Sequence, residues 1–275
     1  MEHAAEKISS IIQKFDSTNN IREIWEIGSR DGQDALVMSE IFPEAIISSF
    51  EPNPDTFRMV EEVSRKSHGK ITALNIALSS SDGEITFNKI DTTSTITTWA
   101  DGNPGASSMF IANGKYEIEK YVQIPIKVKS NRAKTLIENQ GLATPNLIWM
   151  DVQGAEGLVI EGFGQHIANV DFIYVELSLK PLYTGQALAG DIVKLLSTDF
   201  YWYSNLTYGA WQFDALFINK KYRCQKLVCR NVFLFLSLKS YLKIGIEYSL
   251  PVFLRKRLSV AKKYVIRILI SNLRK

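Results

Sequence analysis

The chain has 275 residues, 45% of them hydrophobic and 22% charged, with a formal net charge of +3. This is the composition of a soluble globular protein with a sizeable core, long enough for one large α/β domain and an appendage. Two cysteines, Cys224 and Cys229, exclude a disulfide framework, and no His or further Cys near them completes a zinc site.

The charge is unevenly spread: residues 221–275 carry 14 Lys or Arg against one acid, Glu247, a net of +13 that leaves residues 1–220 at −10. An acidic body with a strongly basic tail points to an anionic partner surface for the tail, such as membrane, nucleic acid or an acidic protein. Residues 1–15 are polar and mixed in charge, unlike a secretory leader. No run reaches the ~18–20 apolar residues that cross a bilayer, so a cytoplasmic location is expected.

In chain order, Ala5, Ile8, Ile11, Ile12 and Phe15 recur at helical spacing and predict an N-terminal helix over 2–15. Residues 23–27 read as a buried strand running into the turn Gly28-Ser29-Arg30-Asp31-Gly32, with a helix over 33–41. Gly28 lets the backbone turn sharply beneath a ligand, and Gly32 lets the helix start close to the strand. The N–H groups at that helix start can bind polar ligand atoms. A second strand, 45–50, is stopped by Glu51-Pro52-Asn53-Pro54, and Pro54 suits the first turn of a helix reaching about 66. A third strand spans 71–76, and Ser81-Asp82-Gly83-Glu84 turns into 85–87 as a predicted hairpin.

Residues 91–113, rich in Ser, Thr, Gly and Asn, form a long loop of the kind that is often functional. In 121–129, Val122, Ile124, Ile126 and Val128 alternate as in a strand, and Pro125 places it at an edge. A helix follows over 131–139. Residues 146–151 are another buried strand ending in an acid, Asp151, with a helix running on to His166. A strand over 171–177 carries Glu176, a helix covers 185–197, and 200–203 pairs with 213–218 as the last two strands. This alternation predicts an α/β fold with a mostly parallel sheet and helices on both faces. Ligands of such sheets sit beyond the carboxyl ends of the strands, where Glu26, Glu51 and Asp151 gather.

The turn reads Glu-x-Gly-x-x-x-Gly and lacks the middle glycine of Gly-x-Gly-x-x-Gly that admits a pyrophosphate. Its acid would repel phosphate and suits a cationic ligand. S-adenosyl-L-methionine fits, with an ammonium, a sulfonium and no phosphate. Glu51 stands where a carboxylate can accept hydrogen bonds from both ribose hydroxyls. The competing structural reading makes Gly28 and Gly32 ordinary βα-turn glycines and Glu51 and Asp151 helix caps.

Four stretches, 26–32, 50–54, 77–87 and 148–156, resemble the FkbM-type class I methyltransferases. The last is similar to the family's Asp-x-Glu-Gly-x-Glu signature, with Gln153 where Glu is usual, and Ser107-Ser108-Met109 is similar to a short serine motif of its mid-domain loop. The resemblance covers roughly residues 21–220. It implies a Rossmann-like class I fold with a mostly parallel seven-stranded sheet. The chain then divides into an N-terminal helix (1–20), a methyltransferase domain (21–220) and a basic amphipathic helical tail (221–275). It also implies methyl transfer from S-adenosyl-L-methionine, often to sugar hydroxyls of polyketides, glycans or surface polysaccharides. Carried over by position, Glu26, Gly28, Ser29 and Gly32 would cradle the methionine part, Glu51 and Asn53 the ribose, and Ala77 the adenine, with Asp151 at the reaction centre.

A sugar hydroxyl is a poor nucleophile and benefits from a general base. Asp151 is the first candidate and Glu176 the second catalytic residue, while Glu156 is read as stabilising its helix N-terminus and His166 as structural. No His/Asp cluster has metal spacing and no metal is assigned, although strand-end carboxylates could hold Mg²⁺ for a diol acceptor. The loop 91–113 and the aromatic stretch 201–211 are expected to shape a site for a glycan or other hydroxyl-bearing acceptor. Two rival functions stay open. One is a nucleic-acid methyltransferase whose tail contacts phosphates, against which the acidic body counts. The other is a catalytically silent binding or scaffold protein, which Gln153 keeps in play.

In the tail, Lys256, Lys263, Arg267 and Arg274 share one face of a helical wheel, opposite Leu258, Ala261, Val265, Ile268, Leu269 and Leu273. That is the pattern of an interfacial helix on anionic lipid, with packing on the domain or on a partner chain as the alternative. The membrane reading predicts that full-length protein floats with anionic liposomes and that residues 1–220 do not; equal flotation of the two rejects it.

Overall fold

A computed structural model describes residues 3–207 and 211–222; the expected tail helices and both cysteines lie outside the described residues. Chain order runs α1 (Ala4–Ile12), β1 (Glu23–Ile27), α2 (Gln33–Ile41), β2 (Ile46–Phe50), α3 (Pro54–Lys66), β3 (Ile71–Leu74), β4 (Ala77–Leu78) and β5 (Gly83–Ile90). It continues with β6 (Gln123–Asn131), α4 (Ala133–Gln140), β7 (Leu147–Met150), α5 (Glu156–Phe163), β8 (Phe172–Ser178), α6 (Ala189–Leu196), β9 (Phe200–Asn205) and β10 (Gln212–Asn219). No described helix is long and apolar enough to cross a membrane.

The main sheet has seven strands in the order β3-β2-β1-β7-β8-β10-β9. β3, β2, β1, β7 and β8 are parallel, and β10 runs antiparallel to both β8 and β9. β1 is followed along the chain by β2 on one side, while its other neighbour is β7. That reversal of direction is the point at which open α/β sheets bind ligands. The expected mostly parallel seven-stranded sheet is therefore present, its last two strands paired as foreseen.

Strands covered on both faces must be apolar almost throughout. One face gathers Ile24, Ile47, Leu147, Trp149, Phe172 and Leu216 against Ala5, Ile8 and Ile12 of α1 and Ala35 and Met38 of α2. On the other, Trp25 packs against Phe50 and against Phe163 of α5, with ring centroids 5.1 and 5.3 Å apart. α1 starts on a capping box in which His3 accepts from the Ala5 N–H and Glu6 accepts from the His3 N–H. α5 ends short of His166, and a 3₁₀ turn, Gly164–Asn169, carries the chain onward.

The region between β3 and β7 departs from expectation. β4 and β5 do not pair with each other as a hairpin; both pair with β6, in a separate three-stranded sheet of order β4-β6-β5. The Ser81–Glu84 turn is thus a reversal whose two strands are bridged by a third arriving about 40 residues later, and short-range sequence holds no signal for that. β6 is correspondingly central at its C-terminal end and an edge at Pro125, as the proline suggested. Pro125 is tolerated because β4 flanks β6 only at Ser130 and Asn131, leaving the side of Pro125 away from β5 open.

α5 lies hard against the end of β4. A Cβ built on Gly162 would fall 2.1 Å from the Ser79 carbonyl oxygen. Gly162→Ala is expected to cost about 1–3 kcal/mol through overpacking and to lower the thermal midpoint; an unchanged midpoint would show that the β4 end yields freely.

Candidate active site

The turn after β1 is built by backbone crowding and two buried acids. Gly28 has φ +87°, and a Cβ there would stand 1.8 Å from the Asp151 carbonyl oxygen, so only glycine lets the ends of β1 and β7 meet. The N–H groups of Gly28 and Ser29 both donate to the Phe50 carbonyl, at 3.0 and 3.1 Å, which ties the turn to β2. Beneath it the buried Glu26 carboxylate accepts from Ser29 Oγ at 2.5 Å and from the Ala35 N–H at 3.0 Å. Burial pushes Glu26 up to about 8, with the Ser29 hydrogen bond working in the other direction.

At the end of β2, Glu51 accepts from the N–H groups of Asn53 and Arg30, each at 2.8 Å. Burial raises it to about 7 against those two donors. Arg30 itself adopts φ +57°, a left-handed conformation disfavoured for a side-chain-bearing residue, and the Glu51 hydrogen bond holds it there.

Above these turns lies a cavity of about 350 Å³. Its wall follows the sheet edge from Glu51 on β2, past Gly28 and Asp151 at the ends of β1 and β7, to Glu176 on β8 and Gln212 on β10. Adjacent strands are ~4.8 Å apart, so this edge spans roughly 14 Å from β2 to β8. Near Glu51 the lining is apolar, with Ile76, Ala77, Leu78 and Phe87. Toward β8 it is polar and phenolic, with Tyr116, Glu119 and Tyr121 opposite Asp151, Gln153, Glu176 and Gln212.

Gln153 organises that polar end. Its Nε2 donates to Asp151 Oδ1 at 2.7 Å and to Glu176 Oε2 at 3.3 Å, and its Oε1 lies 3.0 Å from the Tyr183 hydroxyl. Gln212 Nε2 donates to the same Glu176 oxygen at 2.5 Å. Burial pushes Asp151 up to about 6, with Gln153 opposing the rise. Burial raises Glu176 well above the carboxylate range, and the neighbouring charges of Asp151, Asp214 and Glu156 add to it. Burial thus works against the charged form of both acids, which share one amide donor in Gln153.

The loop 91–113 closes over this arrangement. Trp99, Asn103, Pro104, Ala106, Ser107 and Met109 all face the cavity. Ser108 Oγ donates to the Gln153 carbonyl at 2.7 Å, and the Tyr183 hydroxyl lies 2.8 Å from the Ala106 carbonyl oxygen. Glu119 is held by Asn103 Nδ2, by the Thr97 hydroxyl and by the Tyr121 hydroxyl, the last at 2.5 Å.

Of the residues singled out in the sequence, Gly28, Glu51, Ala77, Asp151 and Glu176 line the cavity. Glu26, Ser29, Gly32 and Asn53 stand one layer behind it. Glu26 and Ser29 brace the turn, Gly32 is the left-handed N-cap of α2 packed against Val60 and Val63, and Asn53 caps α3 by accepting from the Asp55 N–H. Glu156 also braces, accepting from the N–H groups of Gly154 and Val152. His166 bonds Glu138 at 2.9 Å, away from the cavity. Within the described part of 201–211 no residue lines the cavity; Trp202 packs on Phe213 and Phe217, and Trp211 packs edge-on against Tyr116. The aromatic wall comes from Tyr116 and Tyr121, which sequence reasoning missed, as it missed Glu119 and Gln212.

The description of the family model that matches residues 26–208 is "Methyltransferase FkbM domain". The hexuronic acid methyltransferase AglP of Haloferax volcanii is 30% identical over 154 residues, 56% of this chain and 55% of that protein. The 2-O-methyltransferase NoeI of Sinorhizobium fredii is 30% identical over 194 residues, 69% of this chain and 75% of that protein. The chain thus spans about half the length of the first relative and three quarters of the second. A solved SAM-dependent methyltransferase from Aquifex aeolicus superimposes on 78% of this chain and 89% of its own, at 10% identity and a TM-score of 0.40.

With Glu51 carrying two backbone N–H groups at the apolar end, Glu51→Ala is expected to weaken S-adenosylmethionine binding by at least about tenfold, equivalent to one charge-assisted hydrogen bond. Calorimetric titration measures it, with circular dichroism confirming an intact fold; an unchanged affinity would remove Glu51 from the cofactor site.

Proposed function

Because the chain belongs to the FkbM methyltransferase family, we propose that it transfers a methyl group from S-adenosylmethionine to a hydroxyl of a sugar acceptor in a glycan, glycolipid or surface polysaccharide. One observation carries this reading. A single cavity holds, along one sheet edge, a carboxylate at Glu51, a backbone turn at Gly28 and a carboxylate pair at Asp151 and Glu176. The two relatives, a hexuronic acid methyltransferase and a 2-O-methyltransferase, support a sugar as the acceptor and oxygen as the methylated atom.

The donor set suits the cofactor. Among the described residues the lining offers no cluster of basic groups for a phosphate; Arg30, the one cation there, is paired with Asp101 at 2.5 Å. When bound, S-adenosylmethionine supplies an electrophilic methyl group on a sulfonium leaving group. Glu51 would receive the ribose hydroxyls, and Ile76, Ala77 and Leu78 would flank the base. Gly28 would receive the methionine part, with Glu26, Ser29, Gly32 and Asn53 fixing the turns from behind.

The remaining work is positioning and deprotonation. Holding two reactants in line is worth up to ~7–11 kcal/mol, and a general base typically adds ~10²–10⁴-fold. Asp151 takes the acceptor proton on Oδ2, which receives no hydrogen bond among the described residues, while Gln153 holds Oδ1. Glu176, whose Oε2 is held by Gln153 and Gln212, would orient the acceptor ring through a hydrogen bond at its other oxygen. The net +13 of residues 221–275 adds contact with anionic lipid, which brings the enzyme close to membrane-borne glycans.

A base acts only when ionised, so activity with saturating substrates should fall as pH drops through about 6, the value to which burial raises Asp151. Asp151→Asn is expected to lower kcat by ~10²-fold or more while cofactor affinity stays within a few-fold and the acidic limb of the pH profile disappears. Wild-type turnover in this variant, measured by label transfer, would exclude Asp151 as the base.

A further inference from the structure

The charges of the cavity are sorted along the sheet edge. Among the described residues its single lining cation, Arg30, belongs to the turn after β1; it is paired with Asp101 and lies over the Trp99 ring at 4.9 Å. The half of the cavity beyond β7 is lined by three carboxylates, Glu119, Asp151 and Glu176, and by no described Lys, Arg or His. Lys180 stands outside that lining, over the Trp211 ring at 4.6 Å.

Most hydrogen-bond donors in this half are already spent on its own acids, the Tyr116 hydroxyl being the exception. Gln153 Nε2 and Gln212 Nε2 point at Glu176, the first also at Asp151, and the Tyr121 hydroxyl is taken by Glu119. What remains for a ligand is mainly acceptor capacity, on Asp151 Oδ2 and Glu176 Oε1, which receive no hydrogen bond among the described residues. Hydroxyl O–H groups satisfy such oxygens, and so does an ammonium. A carboxylate or phosphate on the acceptor would enter a buried space among like charges, with no cation to offset its lost hydration.

Resting on the sugar-methylation reading above, we infer that the acceptor half selects sugars without an acidic group, neutral hexoses or amino sugars, and rejects uronates and sugar phosphates. Glu119, Asp151 and Glu176 set that preference together. Glu119 does so from a fixed position, since Asn103, Thr97 and Tyr121 occupy both of its oxygens. The preference is one of charge rather than shape, so it applies across gluco, galacto and manno configurations alike.

The test uses the full-length enzyme, labelled S-adenosylmethionine and methyl glycosides of the three configurations, each as the neutral sugar, the 2-amino sugar and the uronate. Neutral or amino members should exceed the matching uronates in kcat/KM by about 100-fold, the scale of like-charge exclusion. Gln212→Lys, which places a cation beside Glu176, should narrow that ratio by about tenfold. Uronates methylated as well as their neutral partners would overturn the inference and leave sugar methylation standing. An unchanged ratio in Gln212→Lys would overturn the role of the lining charge. Label in no sugar of the panel, with cofactor affinity normal, would overturn the sugar reading itself and this inference with it.

Discussion

Everything in the site depends on the meeting of two strand ends. The backbone at Gly28 passes so close to the Asp151 carbonyl that no side chain fits between them. Two parallel strands that touch at their carboxyl ends open the sheet on either side of the contact. One side, toward β2, becomes the apolar slot above Glu51; the other, toward β8, becomes the polar chamber of Asp151 and Glu176. A donor in the first and an acceptor in the second would face each other across that contact, so proximity is supplied by sheet topology before any side chain contributes.

Most of this framework was legible from residue pattern. The main-sheet strands are short apolar runs stopped by glycine or by acid and proline, and the physical rule that doubly covered strands must be apolar makes them readable one at a time. Glu51 and Asp151 stood out as acids at strand ends. What was not legible is what depends on distant parts of the chain. β4 and β5 find their common partner in β6 about 40 residues later, so a local turn signal at Ser81–Glu84 misled. Tyr116 and Glu119 sit in a segment without periodicity and Tyr121 at the first position of an expected strand, and bridges such as Ile96 with Lys120 fold this stretch back on the loop. Glu26 illustrates the reverse case: its spacing marks the turn, but its carboxylate faces Ser29 and Ala35 and not the cavity.

Four carboxylates, the buried Glu26 and Glu51 and the half-buried Asp151 and Glu176, sit within one sheet edge with little cationic compensation among the described residues. Each is raised by desolvation, and each would be more comfortable as an amide in a protein selected for stability alone. Their gathering along one edge is what marks it as a candidate site. Gln153 tempers the cluster: as an amide it donates to two acids, where a carboxylate at the same position would have added a further like charge.

Gln153 also fastens the roof. Its carbonyl receives Ser108, its side-chain oxygen meets Tyr183, and its amide nitrogen steadies Asp151. One residue therefore serves as both latch and trigger guard. Were the loop to lift from Gln153, it would pull on the amide that holds Asp151, so ligand exchange and readiness for proton transfer would belong to different postures of the same few atoms. If Asp151 is the base, a bound methyl donor would then meet water only when that base is no longer aimed.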